Sequence, residues 1–101
     1  MAPPIMRLEV TRIGELIGRA GSNHEMRNAL VKVRYELLEF VVAVEHCTDG
    51  RISGRARERL DAAIVNVPLD QADSGGDMHA SLAYVLDRLH SIQKRIDFIY
   101  V

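Results

Sequence analysis

The stretch SNHEMRNALVKVRYELLEFVVAVEHC, residues 22–47, decides how this chain is read. Met26, Leu30, Val33, Leu37, Phe40, Val44 and Cys47 alternate at spacings of four and three. An α-helix turns once in about 3.6 residues, so this pattern returns every one of them to the same side. The spacing predicts a helix over 23–46 with a seam for a neighbouring helix. Ser22 and Glu25 fit a capping box at its start, the serine accepting from the amide of residue 25 while the glutamate reaches back. Thr48-Asp49-Gly50 reads as the exit turn.

The same helix carries more apolar surface than one seam uses. Advancing about 100° per residue from Met26, Val31, Tyr35, Leu38 and Val42 fall on the far side. Arg27, Arg34 and Glu45 occupy one flank, and Asn28, Lys32, Glu36 and Glu39 the other. A helix apolar on two faces needs cover on both. Either it lies in the middle of a bundle, or its second face meets another chain. The expectation is a two-fold dimer, with Val31, Tyr35, Leu38 and Val42 at the interface.

Outward from this helix, the chain is punctuated into three more. Met6, Val10, Ile13, Leu16 and Ile17 predict a helix over 5–20, weakened by Gly14 and Gly18 and broken by Ala20-Gly21-Ser22-Asn23. Ser53 opens a third, with Ala56, Leu60, Ala63, Ile64 and Val67 on one face and Pro68 as its stop. Residues 69–77 form a linker that ends on Asp77, a suitable N-cap. Met78, Leu82, Val85, Leu89, Ile92, Ile96 and Ile99 then repeat the 4-3 spacing, so the heptad outweighs a strand reading of the final Phe98-Ile99-Tyr100-Val101. The fold expected is all-α, a small antiparallel four-helix bundle forming one domain over 1–101, with 1–4 as a short tail.

Composition narrows the function classes. The 101 residues are 48% hydrophobic and 27% charged, a globular balance that argues against disorder. A formal net charge of −1 gives no general attraction to nucleic acid or anionic membranes. Aromatics at 5%, with no Trp, leave little to stack on bases. No apolar run approaches the roughly 20 residues of a membrane helix, and charges in every turn of residues 5–21 leave no apolar h-region, so no secretory signal is expected. A single cysteine, Cys47, rules out an intrachain disulfide and suits a cytoplasmic setting.

His24-Glu25-Met26-Arg27-Asn28-Ala29-Leu30 resembles the H-box of sensor histidine kinases: a histidine, an acid, any residue, Arg, Asn or Thr, usually Pro, where this chain has Ala29, and a closing Leu. Residues 31–41 and 52–67 are similar to the paired helices of that family's dimerisation domain. The resemblance implies that His24 accepts a phosphoryl group, that Glu25 helps orient or deprotonate it, and that Asn28 faces the phosphohistidine one turn on. No glycine-rich nucleotide box occurs in residues 31–101, so a phosphotransfer module is implied rather than a kinase.

Other residues give weaker leads. His24, His46, His79 and His90 include no i, i+4 pair and no H-E-x-x-H motif, so no metal is expected. His46 and Cys47 are neighbours that point about 100° apart on a helix, which places the cysteine on the seam rather than in a thiol–imidazole pair. Arg51, Arg55, Arg57 and Arg59 form a basic cluster diluted by Glu58 and Asp61, which reads as a solvated helix face. The expectation is therefore a non-catalytic helical interaction module, with a protein partner and self-association and no cofactor, and nucleic-acid binding through residues 51–59 is the least favoured option. Histidine phosphotransfer through His24, Glu25 and Asn28 is the alternative.

Overall fold

The computed structural model describes the backbone of residues 4–46, 51–71, 77–95 and 97–99, and the side chains of all these except 4–6, 51, 77 and 97–99. The chain is all-α in character. Its helices are α1 (Pro4–Arg19), α2 (His24–Glu45), α3 (Gly54–Val65) and α4 (Asp77–Gln93). A 3-10 turn spans Leu69–Gln71, and two three-residue strands, β1 (Arg51–Ser53) and β2 (Asp97–Ile99), pair in parallel.

The helices start and stop where local chemistry directs. Gly21 takes a φ of 60°, a left-handed conformation that glycine adopts without a Cβ penalty, and this turns the chain from α1 into α2. Ser53 caps α3 by accepting from the Arg55 amide, as its position predicts. Helix α3 ends at Val65, short of Pro68.

The start of α2 corrects the capping-box expectation. Asn23, not Ser22, is the N-cap, and its Oδ1 accepts from the Met26 amide at 3.0 Å. Glu25 does not reach back. Its Oε2 accepts from Gln71 Nε2 at 2.7 Å, while Asn23 Nδ2 donates to Gln71 Oε1 at 3.3 Å. A glutamine from the 3-10 turn thus ties Glu25 to Asn23, in place of the expected pairing of Glu25 with Ser22.

The core is one hydrophobic cluster to which all four helices contribute. Ile13, Leu30, Val33, Leu37, Phe40 and Leu82 have no exposed surface, and Leu89 is 1% exposed. Each such side chain contributes about 1.5–3 kcal/mol on burial. Helix α1 packs on α2 and α4, and α2 packs on α3. Along α1 and α2, Arg7 pairs with Glu45 and Gly14 lies beside Arg34, so rising numbers on one helix meet falling numbers on the other. Helix α2 is therefore flanked by α1 and α3. Ile96, Cys47 and the exit turn at 48–50 lie outside the described residues.

The heptad of the last helix does not run to Ile99. Helix α4 ends at Gln93, and the Arg95 amide bonds the Ile92 carbonyl at 3.1 Å in a tightened turn. Residues 97–99 are extended and pair with 51–53, Ile52 opposite Phe98. The aromatic and β-branched run that follows Asp97 favours strand, and a partner strand was available. Ile52 is 5% exposed.

Candidate functional site

Buried and exposed residues divide α2 lengthwise. Its inner face (Met26, Leu30, Val33, Leu37, Phe40 and Val41) is sealed in the core. Its outer face keeps Val31 at 48%, Tyr35 at 56%, Leu38 at 37% and Val42 at 50% exposure. These four predicted interface residues lie on one stripe that stays partly exposed among the described residues. Lys32 lies along its edge, with Nζ 5.5 Å from the centre of the Tyr35 ring and 3.6 Å from Glu36. Glu36 is only 7% exposed, so the polar flank assigned to it from sequence is partly interior.

The N-terminal turn of α2 continues the outer face. His24 is the first residue of the helix, and both it and Asn28 are exposed, one turn apart. His24 makes no hydrogen bond or ion pair among the described residues. Glu25 is exposed, and its carboxylate is engaged by Gln71 rather than by the imidazole. The three residues of the histidine-phosphotransfer reading are therefore neighbours at one helix end, with two of them free toward solvent.

The basic cluster is interleaved with acids. Arg57 Nε is 3.6 Å from Asp61 Oδ2. Arg55 and Arg59 line a hollow of about 270 Å³ between α2 and α3 together with Glu36 and Glu39. The side chain of Arg51 lies outside the described residues. Among the described residues, no three His, Cys, Asp or Glu side chains converge as a metal site would require. No helix there is long and apolar enough to cross a membrane.

Two features were not foreseen from sequence. A cleft of about 430 Å³ opens between α1 and α4, with Arg12, Arg19, Ser81 and Tyr84 among its lining residues and Glu15 beside them. Arg12 is committed on both sides: its guanidinium lies 5.3 Å from the Tyr84 ring centre, and its Nη1 is 3.2 Å from Glu9 Oε1. Glu9 itself has no exposed surface. Arg88 Nε stands 4.0 Å from the same oxygen, and Oε2 has no hydrogen-bond partner among the described residues. Burial pushes the Glu9 carboxyl above the ordinary carboxylate range, and the guanidinium groups of Arg12 and Arg88 only partly oppose this. Glu9 occupies a heptad-compatible position on α1, but a carboxylate among apolar neighbours is not legible as buried from one sequence.

No family model matches this chain, and no curated protein or solved structure matches it.

Proposed function

We propose that this chain is a small, non-catalytic helical-bundle module that binds a protein partner through the outer face of α2 and that self-associates there. The antiparallel arrangement of all four helices as one domain and a cytoplasmic setting are parts of the same proposal. One observation carries it. Four large apolar side chains, Val31, Tyr35, Leu38 and Val42, lie exposed along one helix at spacings of four, three and four. Scattered exposed apolar residues need no account, but a contiguous stripe marks an interaction surface. A two-fold dimer is the commonest way for such a stripe to be covered.

Light scattering over a dilution series tests this. The expected result is a two-chain mass that falls toward one chain on dilution. Leu38→Glu with Val42→Glu should abolish the larger species while helical circular dichroism remains, because both side chains are partly solvated in the single subunit. A one-chain mass for the wild type at every concentration would overturn self-association.

A second reading is histidine phosphotransfer, with His24 as phosphoacceptor and Glu25 and Asn28 as its neighbours. It is favoured by the exposure of His24 and Asn28, since a neutral imidazole open to solvent is a competent nucleophile near neutral pH. Incubation with a phosphodonor should then give acid-labile phosphate that His24→Gln abolishes. Label that survives this substitution, or no label, would remove the reading. Nucleic-acid binding through residues 51–59 gains no support, since Arg55 and Arg59 share their hollow with two glutamates.

A further inference from the structure

The stripe on α2 reads the same in both directions, with Val31, Tyr35, Leu38 and Val42 separated by four, three and four residues. A second copy can therefore lie on it in either sense, and the charges beside the stripe decide between them. Taken as a heptad seam, the stripe supplies the d and a positions. Lys32 and Glu39 then occupy e, along one edge, and Arg27 and Arg34 occupy g, along the other. In a parallel pair, g of one helix faces e of the other. Arg27 would meet the partner's Lys32 while Arg34 met the partner's Glu39, so one repulsion offsets one attraction. In an antiparallel pair, like edges face each other. Lys32 then meets the partner's Glu39, two-fold symmetry makes that pair twice, and no like charges fall at the same level.

The subunit leaves these groups in position for such a contact. Glu39 is exposed and makes no ion pair among the described residues. The Lys32 side chain is 61% exposed and already lies against the Tyr35 ring at the stripe's edge. On the other edge, the border of α1 is low. Gly14 lies beside Arg34, and a Cβ on Gly18, one turn on, would meet nothing within 4 Å. Neither glycine raises a wall against a second helix.

We infer that two copies pack their α2 helices antiparallel, Tyr35 against the partner's Leu38, Val31 against the partner's Val42, and Lys32 paired with the partner's Glu39. This orientation rests on the self-association proposed above. It makes the surface selective for a second copy of this chain, because the pairing needs the same charge order on both helices.

Disulfide trapping tests the orientation in the full chain, with Cys47→Ala as background. Val31→Cys and Val42→Cys proteins, co-refolded in equal amounts, should cross-link under mild oxidation, and neither should do so alone. In the antiparallel pair, identical positions at the stripe's ends are about 16 Å apart along the axis, beyond the roughly 7 Å Cα separation a disulfide tolerates. Cross-linking of Val31→Cys with itself would establish the parallel pair and overturn the inference. A two-chain mass without cross-linking in the mixture would also overturn it, while leaving self-association intact. A one-chain mass for the wild type would remove both. Charge reversal gives an independent readout, and because Lys32 also pairs with the buried Glu36 of its own helix, circular dichroism of each variant checks that the subunit stays folded. Lys32→Glu and Glu39→Lys should each weaken the dimer several-fold, and the double variant should restore it. A parallel pair predicts tighter association for Lys32→Glu, since that change relieves the clash with Arg27.

Discussion

Glu9 and Asn23 show what single side chains decide here. Glu9 is fully buried with one oxygen unpartnered, and desolvation holds its carboxyl above the ordinary range. The folded chain therefore binds this proton more tightly than the unfolded chain does. Its favourable effect on stability is full below the unfolded value and is lost as pH rises through the raised folded value. Glu9→Gln should flatten that decline and raise the melting temperature at pH 7, measured by thermal melts from pH 4 to 8. A lower melting temperature at pH 7 would mean that Arg12 and Arg88 stabilise the carboxylate more than burial opposes it. Asn23 gives the cleaner local test. Asn23→Ala removes the observed cap of α2 and should cost about 1 kcal/mol by urea unfolding, whereas Ser22→Ala should cost almost nothing. The reverse order would restore the capping box expected from sequence.

Among the elements, α1 carries the least favourable local sequence. Gly14 and Gly18 lie within it, and a glycine in a helix interior is destabilising by roughly 0.5–1 kcal/mol relative to alanine. Space explains neither position fully, since a methyl on Gly18 would touch nothing. Gly18→Ala should therefore stabilise the isolated subunit by up to about 1 kcal/mol. In a background carrying Leu38→Glu and Val42→Glu, this gain should appear as a higher urea midpoint with an unchanged slope. A lower midpoint would show that α1 needs the glycine for its own backbone. The C-terminal strand illustrates the opposite balance. The helical heptad of α4 stops at Gln93 because residues 97–99 gain the ladder offered by 51–53, although each strand has only three residues.

At the scale of the whole molecule, the extents of 44 × 25 × 18 Å describe a flat body, with α2 between α1 and α3. Flatness limits how much of a central helix its neighbours can enclose, and this is why the stripe from Val31 to Val42 remains open. If a second copy closes it, association and folding are linked by mass action. The melting temperature of the wild type should then rise with protein concentration, while the Leu38→Glu, Val42→Glu variant should melt independently of concentration. Differential scanning calorimetry over a hundredfold concentration range measures this, and a constant wild-type value would count against the dimer.

Hydrophobic periodicity and punctuation in the sequence were enough to determine the all-α character, the approximate limits of the first three helices and the inner seam of α2. These are local properties: a 4-3 spacing, a capping serine at 53 and a proline at 68 act through residues within a turn or two. The second apolar stripe and the place of His24 at a helix start were legible for the same reason. Only the tertiary structure decided the rest, because it depends on residues distant in sequence. Gln71 reaches across 46 positions to bond Glu25 and also accepts from Asn23, the residue that caps α2. Residues 51–53 draw 97–99 out of the helical pattern. Glu9 on α1 is fully buried and faces Arg88 of α4, nearly eighty positions away in sequence. Periodicity states which side of a helix is apolar, but which neighbour covers it, and whether any does, follows from how the helices are arranged in space.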